Sequence, residues 1–381
     1  MNKKLLVVAV AGALAAPSLA MAQVTISGRI GALYQNISLS GATVARVGGT
    51  SFGHISDNGS SLDFKFREDL GGGLAAYGQY NARPVIDGGT LVAGTGAPAQ
   101  WIGLESTTWG NLRVGTLTGL HYVTGPDYTG STGSAYNSVQ IITGSNAIAS
   151  GPVLTPGVMA MATRLRNAVA WDSLNYGGFK MTVAYSTSGA GADNDLGRIG
   201  RKGQTWNLIP QFIQKNWNIG YSYYDQKPDT GAAALAGFNN EKGNRLYGEF
   251  DFGNGFKMGG SWDSYKQTNV GTGVKVADRR AWTMQGMYVT GPHQVAGHFA
   301  KAGDDKVGGA NTNAKSFGVA YQYSLSKRTN TFVSYQKLTN AAAAAYGSGG
   351  LQTPAYTGST GFFTTAGEDL TNLMFGVNHS F

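Results

Sequence analysis

The chain ends in LMFGVNHSF, and read back from Phe381 every second residue is apolar except one: Phe381, His379, Val377, Phe375, Leu373. Between them stand Ser380, Asn378, Gly376, Met374 and Asn372, small or polar with one exception. A period of two marks a strand with one apolar and one polar face. Chain ends in water usually fray. A strand that keeps this alternation to its last residue therefore needs both a partner strand and a solvent for its apolar face.

The same alternation recurs along the chain. FKMTVAYS sets Phe179, Met181, Val183 and Tyr185 against Lys180, Thr182, Ala184 and Ser186. RLYGEFDF sets Leu246, Phe250 and Phe252 against Arg245, Glu249 and Asp251, and SFGVAYQY sets Phe317, Val319, Tyr321 and Tyr323 against Ser316, Ala320 and Gln322. Helical i, i+3, i+4 patterning is nearly absent. Short turns rich in Gly, Asn or Lys (68–73, 109–111, 175–178, 214–216, 253–255, 290–293, 324–328) alternate with long polar connections. The long ones fall at about 37–60, 84–98, 118–162, 187–203, 226–243, 266–279, 302–314 and 339–368. Seven short turns and eight long loops predict sixteen strands, with no compositional break to suggest a second domain.

A soluble sandwich turns its apolar faces inward and has no need of strict short–long alternation. A transmembrane antiparallel β-barrel requires it: short turns at one rim, long loops at the other, apolar residues toward lipid and polar residues toward the lumen. Closure removes the unpaired edges that hydrocarbon cannot solvate. The 19 tyrosines and 16 phenylalanines then serve as interfacial girdles. The terminal strand ends at the membrane boundary and pairs with the first, VTISGRIGALY.

Residues 1–22 carry two lysines, an apolar run from Leu5 to Ala16 and Ala20-Met21-Ala22, the layout of a cleaved signal peptide. That run is shorter than the roughly 18 apolar residues of a helical span. Export leaves 23–381 as a single barrel domain, its net charge reduced from +8 by the loss of Lys3 and Lys4. There is no cysteine, so no disulfide framework supports the fold. The basic balance is dispersed rather than clustered, which argues against nucleic acid as a partner of an exported chain.

Enzyme chemistry finds little support. GTSFG (49–53) fits the G-x-S-x-G nucleophile pattern but lies in a long loop of a chain with 58 glycines. His293 and His298 have no metal-ligand spacing, and Glu68–Asp69 belong to a turn. No cofactor is expected.

With these features in place, the chain resembles the general porins of Gram-negative bacteria, of the trimeric proteobacterial type. SSLDFKFREDLGGGLAAYGQY is similar to that family's second hairpin, WIGLESTTWGNLRVG to its fourth and fifth strands, and RLRNAVAWDSLNYGGFKMTVAY to the hairpin after the constriction loop. YQYSLSKRTNTFVSYQ and the terminal GVNHSF are similar to its last two strands. Thr116 stands where the family usually has an arginine, and the loop 118–162 has only Asp127 as a formal charge. The resemblance implies a sixteen-stranded barrel with that loop folded into the pore, a homotrimer, and passive diffusion of small hydrophilic solutes. It implies contact with outer-membrane lipid and lipopolysaccharide, and handling by periplasmic chaperones and the assembly machinery, with Phe381 as the assembly signal.

Strand parity sends Arg29, Lys65, Arg67, Arg83, Arg113, Arg164, Arg166, Lys180, Arg245 and Lys257 to the lumen, against Asp63, Asp172, Glu249, Asp251 and Asp263. With Asp127 on the loop, this basic excess predicts a modest preference for anions. Arg164 and Arg166, directly after the loop, are the leading constriction candidates. Two alternatives stay open: a substrate-selective channel, for which inward Tyr77, Tyr224 and Tyr247 are scattered, and a barrel enzyme.

Overall fold

The computed structural model describes residues 23–41, 50–84, 86, 99–118, 120, 124–129, 164–187, 203–227, 239–344, 346 and 366–381. The expected signal segment 1–22 and most of the loop 118–162 lie outside them. The strands are β1 (Gln23–Ser40), β2 (Ser51–Asp57), β3 (Ser61–Gly71), β4 (Leu74–Ala82), β5 (Gln100–Ser106), β6 (Gly110–Thr118), β7 (Arg164–Asp172), β8 (Phe179–Ser186) and β9 (Gln204–Ile213). They continue as β10 (Trp217–Lys227), β11 (Asn239–Asp251), β12 (Phe256–Asn269), β13 (Lys275–Thr290), β14 (His293–Ala302), β15 (Ala314–Ser324), β16 (Thr329–Asn340) and β17 (Asp369–Ser380).

These seventeen segments occupy sixteen positions in the sheet, because β2 and β3 are two halves of one spanning strand. Both pair with β1, from Ser38↔Ser51 to Ala32↔Asp57 and from Arg29↔Ser61 to Gln23↔Arg67. Residues 58–60 make the break between the two halves, where Asn58 donates its backbone N–H to Gly31 O over 2.8 Å. Each later strand is antiparallel to its predecessor, and β17 returns to β1 from Ser40↔Asp369 to Arg29↔Ser380. The sheet is closed.

Burial is inverted relative to a soluble protein. Ile102 is 59% exposed, Phe375 52% and Phe317 50%, while Ser316, Gln336 and Asn372 are fully buried. In water such an outer surface would cost about 25 cal/mol for each Å² of apolar area; against lipid it costs nothing. FKMTVAYS, RLYGEFDF and SFGVAYQY all take the faces their alternation predicts.

Three connections are clearly shorter than the sequence suggests, one of them because β11 begins at Asn239, inside the expected loop 226–243. β1 runs on to Ser40 and β2 begins at Ser51, inside the expected loop 37–60; β12 reaches Asn269 and β13 starts at Lys275, inside 266–279. Polar stretches such as Lys266–Asn269 read as loop, yet backbone pairing continues past the membrane edge, where neither face needs to be apolar. The alanine run after β16 also has a packing role. Ala344 and Tyr346 are buried against Ile37, Leu39, Leu338 and Leu370 at the long-loop mouth.

Candidate functional site

The long loop leaves β6 and returns through β7, at the fifth and sixth positions of the ring. Its described segment 124–129 lies against β11–β14, at the tenth to thirteenth positions, and so crosses the lumen. Polar bonds fasten it there. Arg245, fully buried, pairs with Asp263 at 2.6 Å and donates through Nη1 to Thr124 O at 3.1 Å. Gln285 grips the segment with both ends of its amide: Oε1 accepts from Tyr128 N at 3.0 Å, and Nε2 donates to Pro126 O at 2.8 Å. Tyr128 donates its hydroxyl to Glu249 Oε2 at 2.8 Å, and Asn218 donates to Glu249 Oε1 at 2.6 Å. Thr129 Oγ1 lies 3.2 Å from His298 Nδ1. Burial, reinforced by the bond to Glu249, pushes the Tyr128 phenol well above its ordinary range.

The sequence makes this seat locally. Arg245, Tyr247 and Glu249 alternate on the inner face of β11, and Gly220 on β10 leaves room for the Tyr247 ring, whose atoms stand 2.3 Å from where a Cβ would lie. Beside the segment is a polar cavity of about 260 Å³ lined by residues including Thr124, Thr182, Gln211, Asn218, Tyr247 and Glu249.

The opposite wall carries the charge. On β3 and β4, Gln79 and Asn81 donate to Asp63 Oδ1 at 2.6 and 2.8 Å, which fixes the odd-numbered residues of β3 on the lumen side. Lys65 and Arg67 share that face. Arg29 on β1 stands opposite Ser61, and Arg83 follows one position beyond the Leu62↔Ala82 pair. The two arginines thus flank Ser61 at one level, about two strand spacings or ~10 Å apart. Arg29 donates to Asn58 O, and Arg83 donates to Asn81 Oδ1 at 3.4 Å.

Four lumen cations are neutralised: Arg67 by Glu105 at 3.0 Å, Arg113 by Asp172 at 2.8 Å, Arg245 by Asp263, and Lys257 by Asp251 at 3.0 Å. Glu105, on the lumen face of β5, is an acid that the alternation had not singled out. Among the described residues, Arg29, Lys65, Arg83 and Lys180 are in no ion pair with a carboxylate. Asp127 lies in the latched segment, next to Tyr128.

Arg166 does not take the lumen face that simple alternation assigns it. Asn167 has φ +48°, and the β6–β7 register slips from Gly115↔Ala168 to Leu117↔Leu165. This bulge sets Leu165, buried with Leu117 and Leu120, on the inner side and turns Arg166 away from it. Arg164 is described by its backbone, which pairs with Thr118. Sequence reasoning also missed Trp101. It turns inward beside Tyr77, ring centroids 4.9 Å apart, with the Arg113 guanidinium carbon 5.7 Å from its own centroid. Tyr224 and Tyr247 face inward as expected and are buried.

Ser51 begins β2, and its Oγ lies 3.5 Å from Asn36 Oδ1. Among the described residues no three His, Asp or Glu side chains group as a metal site would require.

The Gram-negative porin family model matches residues 7–372 of this sequence. The major outer membrane protein P.IB of Neisseria gonorrhoeae is 30% identical over 222 residues, 56% of each chain. The protein of that name from Neisseria lactamica is 28% identical over 256 residues, 66% of this chain and 67% of that one. Among solved structures, an anion-selective porin from Comamonas acidovorans superposes with TM-score 0.72 at 19% identity, covering 94% of this chain and all of that one. OmpT of Vibrio cholerae in a trimer form gives TM-score 0.61 at 12% identity, covering 94% of this chain and 99% of that one.

Proposed function

Because the chain belongs to the Gram-negative porin family, we propose that it is an outer-membrane channel for passive diffusion of small hydrophilic solutes, with a modest preference for anions. The observation that carries this reading is the latched segment 124–129 on one side of the lumen, opposite a wall whose Arg29, Lys65 and Arg83 are in no ion pair among the described residues, with Lys180 likewise unpaired on β8 between the two. The segment narrows the path and the wall sets its sign. Cationic groups lining a wet constriction raise the local anion concentration. The likeness to an anion-selective porin agrees with that sign.

In this reading residues 1–22 are a signal peptide and 23–381 the mature barrel. The functional unit is a homotrimer, and Phe381 is read by the assembly machinery after periplasmic chaperones deliver the chain. Lipopolysaccharide and outer-membrane lipid cover the apolar belt. A second reading, a channel selective for aromatic solutes, draws on the Tyr77–Trp101 pair beside Arg113. Reversal potentials in planar bilayers across a KCl gradient test the first reading. An anion-selective sign supports it, and a cation-selective sign overturns it. Saturable block of the current by an aromatic carboxylate, abolished in Trp101→Ala, would favour the second.

A further inference from the structure

Five cations stand on the outward face of five consecutive strands: Lys266 (β12), Arg280 (β13), Lys301 (β14), Lys315 (β15) and Lys337 (β16), all exposed. Trp262, Trp282, Phe299, Phe317 and Tyr335 stand on the same outward face, on the short-turn side of these cations. The cations therefore form the upper border of the apolar belt, at the rim with the long loops.

They also lie at one level. Lys266 faces Asp278, two residues before Arg280; Gly303 donates to Arg280 O, two residues beyond Lys301; Lys301 faces Lys315; and Lys337 faces Phe317, two residues past Lys315. Three steps of two residues and one of none, always toward the short-turn rim, make a drop of six over four strand pairs. Strands tilted 35–45° and spaced about 4.8 Å require roughly 1 to 1.5 residues of drop per strand to hold one height. The cations follow the plane of the membrane.

Among the described residues none of the five is in an ion pair. The acids nearby make their close contacts with other groups, although the Lys301 charge does act on Asp304 without an ion-pair contact. Asp278 is buried and approaches Lys275 at 4.0 Å; Asp304 accepts from Thr312 N at 2.9 Å and Asn313 Nδ2 at 2.8 Å. Lys301 and Lys315 are directly paired across two strands, an arrangement that repels unless an anion lies between them. Along β1, β2, β4 and β5 the comparable outward positions Asn36, Ser38, Ser51, Tyr80 and Gln100 are uncharged, and on β7, across the barrel, the outward Arg166 is a base rather than an acid.

We propose that this band binds the phosphate groups of lipopolysaccharide in the leaflet at the long-loop rim, with the acyl chains lying on the aromatic row beneath. The proposal rests on the outer-membrane reading. Phosphate supplies the missing counter-charge, and a lipid places it at this height beside an apolar surface, as free phosphate would not. Among the described residues, the outward positions named on β1, β2, β4, β5 and β7 include no acid through which a second copy of the chain would cover these lysines.

The test uses the folded full-length barrel in detergent, with bisphosphorylated lipid A as probe and binding read by native mass spectrometry. The triple variant K301Q/K315Q/K337Q should bind at least tenfold more weakly, and K301R/K315R/K337R should retain binding. K327Q/R328Q, in the turn at the opposite rim, should bind like wild type. Should the glutamine triple variant fail to assemble, Lys315→Gln alone decides, with at least a threefold loss expected. Unchanged affinity in the glutamine variants, an equal loss in K327Q/R328Q, or displacement of the lipid by equimolar inorganic phosphate would overturn the proposal. So would dissociation of an oligomer with lipid binding intact, which would assign the band to contacts between copies. Conductance, measured in parallel, reports on the channel reading separately: the glutamine variants should conduct like wild type, and a wild-type barrel that binds lipid A without conducting would fail only that reading.

Discussion

Phe381 and Gly28 exchange two backbone hydrogen bonds, Phe381 N to Gly28 O at 3.1 Å and Gly28 N to Phe381 O at 3.2 Å. The last residue of the chain is thus the final rung of the seam that closes the barrel. Its ring lies over Gly28: a Cβ there would stand 2.7 Å from Phe381 Cζ and 2.5 Å from Ser61 O. Deleting Phe381 removes the rung, and Gly28→Val displaces the ring while leaving the terminal sequence intact. Both variants should yield less heat-modifiable barrel in refolding into detergent, read by gel mobility. Full recovery of folded Gly28→Val would show that the ring contact contributes nothing to closure.

The latch makes a second prediction. Asp263 balances Arg245 where neither reaches water, and removing one partner of such a pair costs about 3–5 kcal/mol. Asp263→Ala should lower the midpoint of thermal unfolding and free Arg245 from its place at Thr124. Gln285→Ala removes the two bonds to Pro126 and Tyr128 without stranding a charge. That variant should fold normally but show noisier single-channel currents as the segment moves. Quiet, wild-type currents from Gln285→Ala would mean that the amide does not hold the loop.

Alkali should act on the same latch. The Tyr128 phenol is raised by burial and by its bond to Glu249, so its neutral form is favoured in the folded protein. Its contribution is complete below about pH 10, where a free tyrosine ionises, and fades as pH climbs toward the raised folded value. Current noise should stay flat between pH 7 and 9.5 and grow above that. In Tyr128→Phe the noise should be higher at neutral pH and lack the alkaline rise. A wild-type transition centred near neutrality would point to a different group.

The barrel was legible because its determinants are local: each strand states its two faces in its own residues, and the short and long connections state their rims. The lumen was legible where alternation is unbroken, as for Arg29, Lys65, Arg67, Arg113 and Lys180. It was not legible across Asn167, where one left-handed residue reverses the faces on either side. Asparagine tolerates that conformation but is common elsewhere, so the sequence holds no distinctive sign of the bulge. The latch was hidden for another reason. Its bonds join residues more than 100 positions apart, such as Tyr128 with Glu249 and Gln285. Polar parity placed Glu249 in the lumen without telling what it would meet.

The sign of selectivity turns on which arginines face the path. Arg29 and Arg83 stand level on the wall opposite the latched segment, and among the described residues neither is in an ion pair, although the Asp57 charge acts on Arg29. Arg67 and Arg113 face the lumen too but are matched by Glu105 and Asp172, so removing either would expose an acid as well as delete a base. Arg166 lies beyond the bulge at Asn167. Exchanging Arg29 and Arg83 together for glutamine should therefore move the reversal potential in a KCl gradient toward zero, while Arg166→Gln should leave it near wild type. The double variant's shift should shrink as salt rises, because the Debye length falls from about 10 Å at 0.1 M to 3 Å at 1 M. A shift in Arg166→Gln as large as in the double variant would place the selective wall on β7 rather than on β1 and β4.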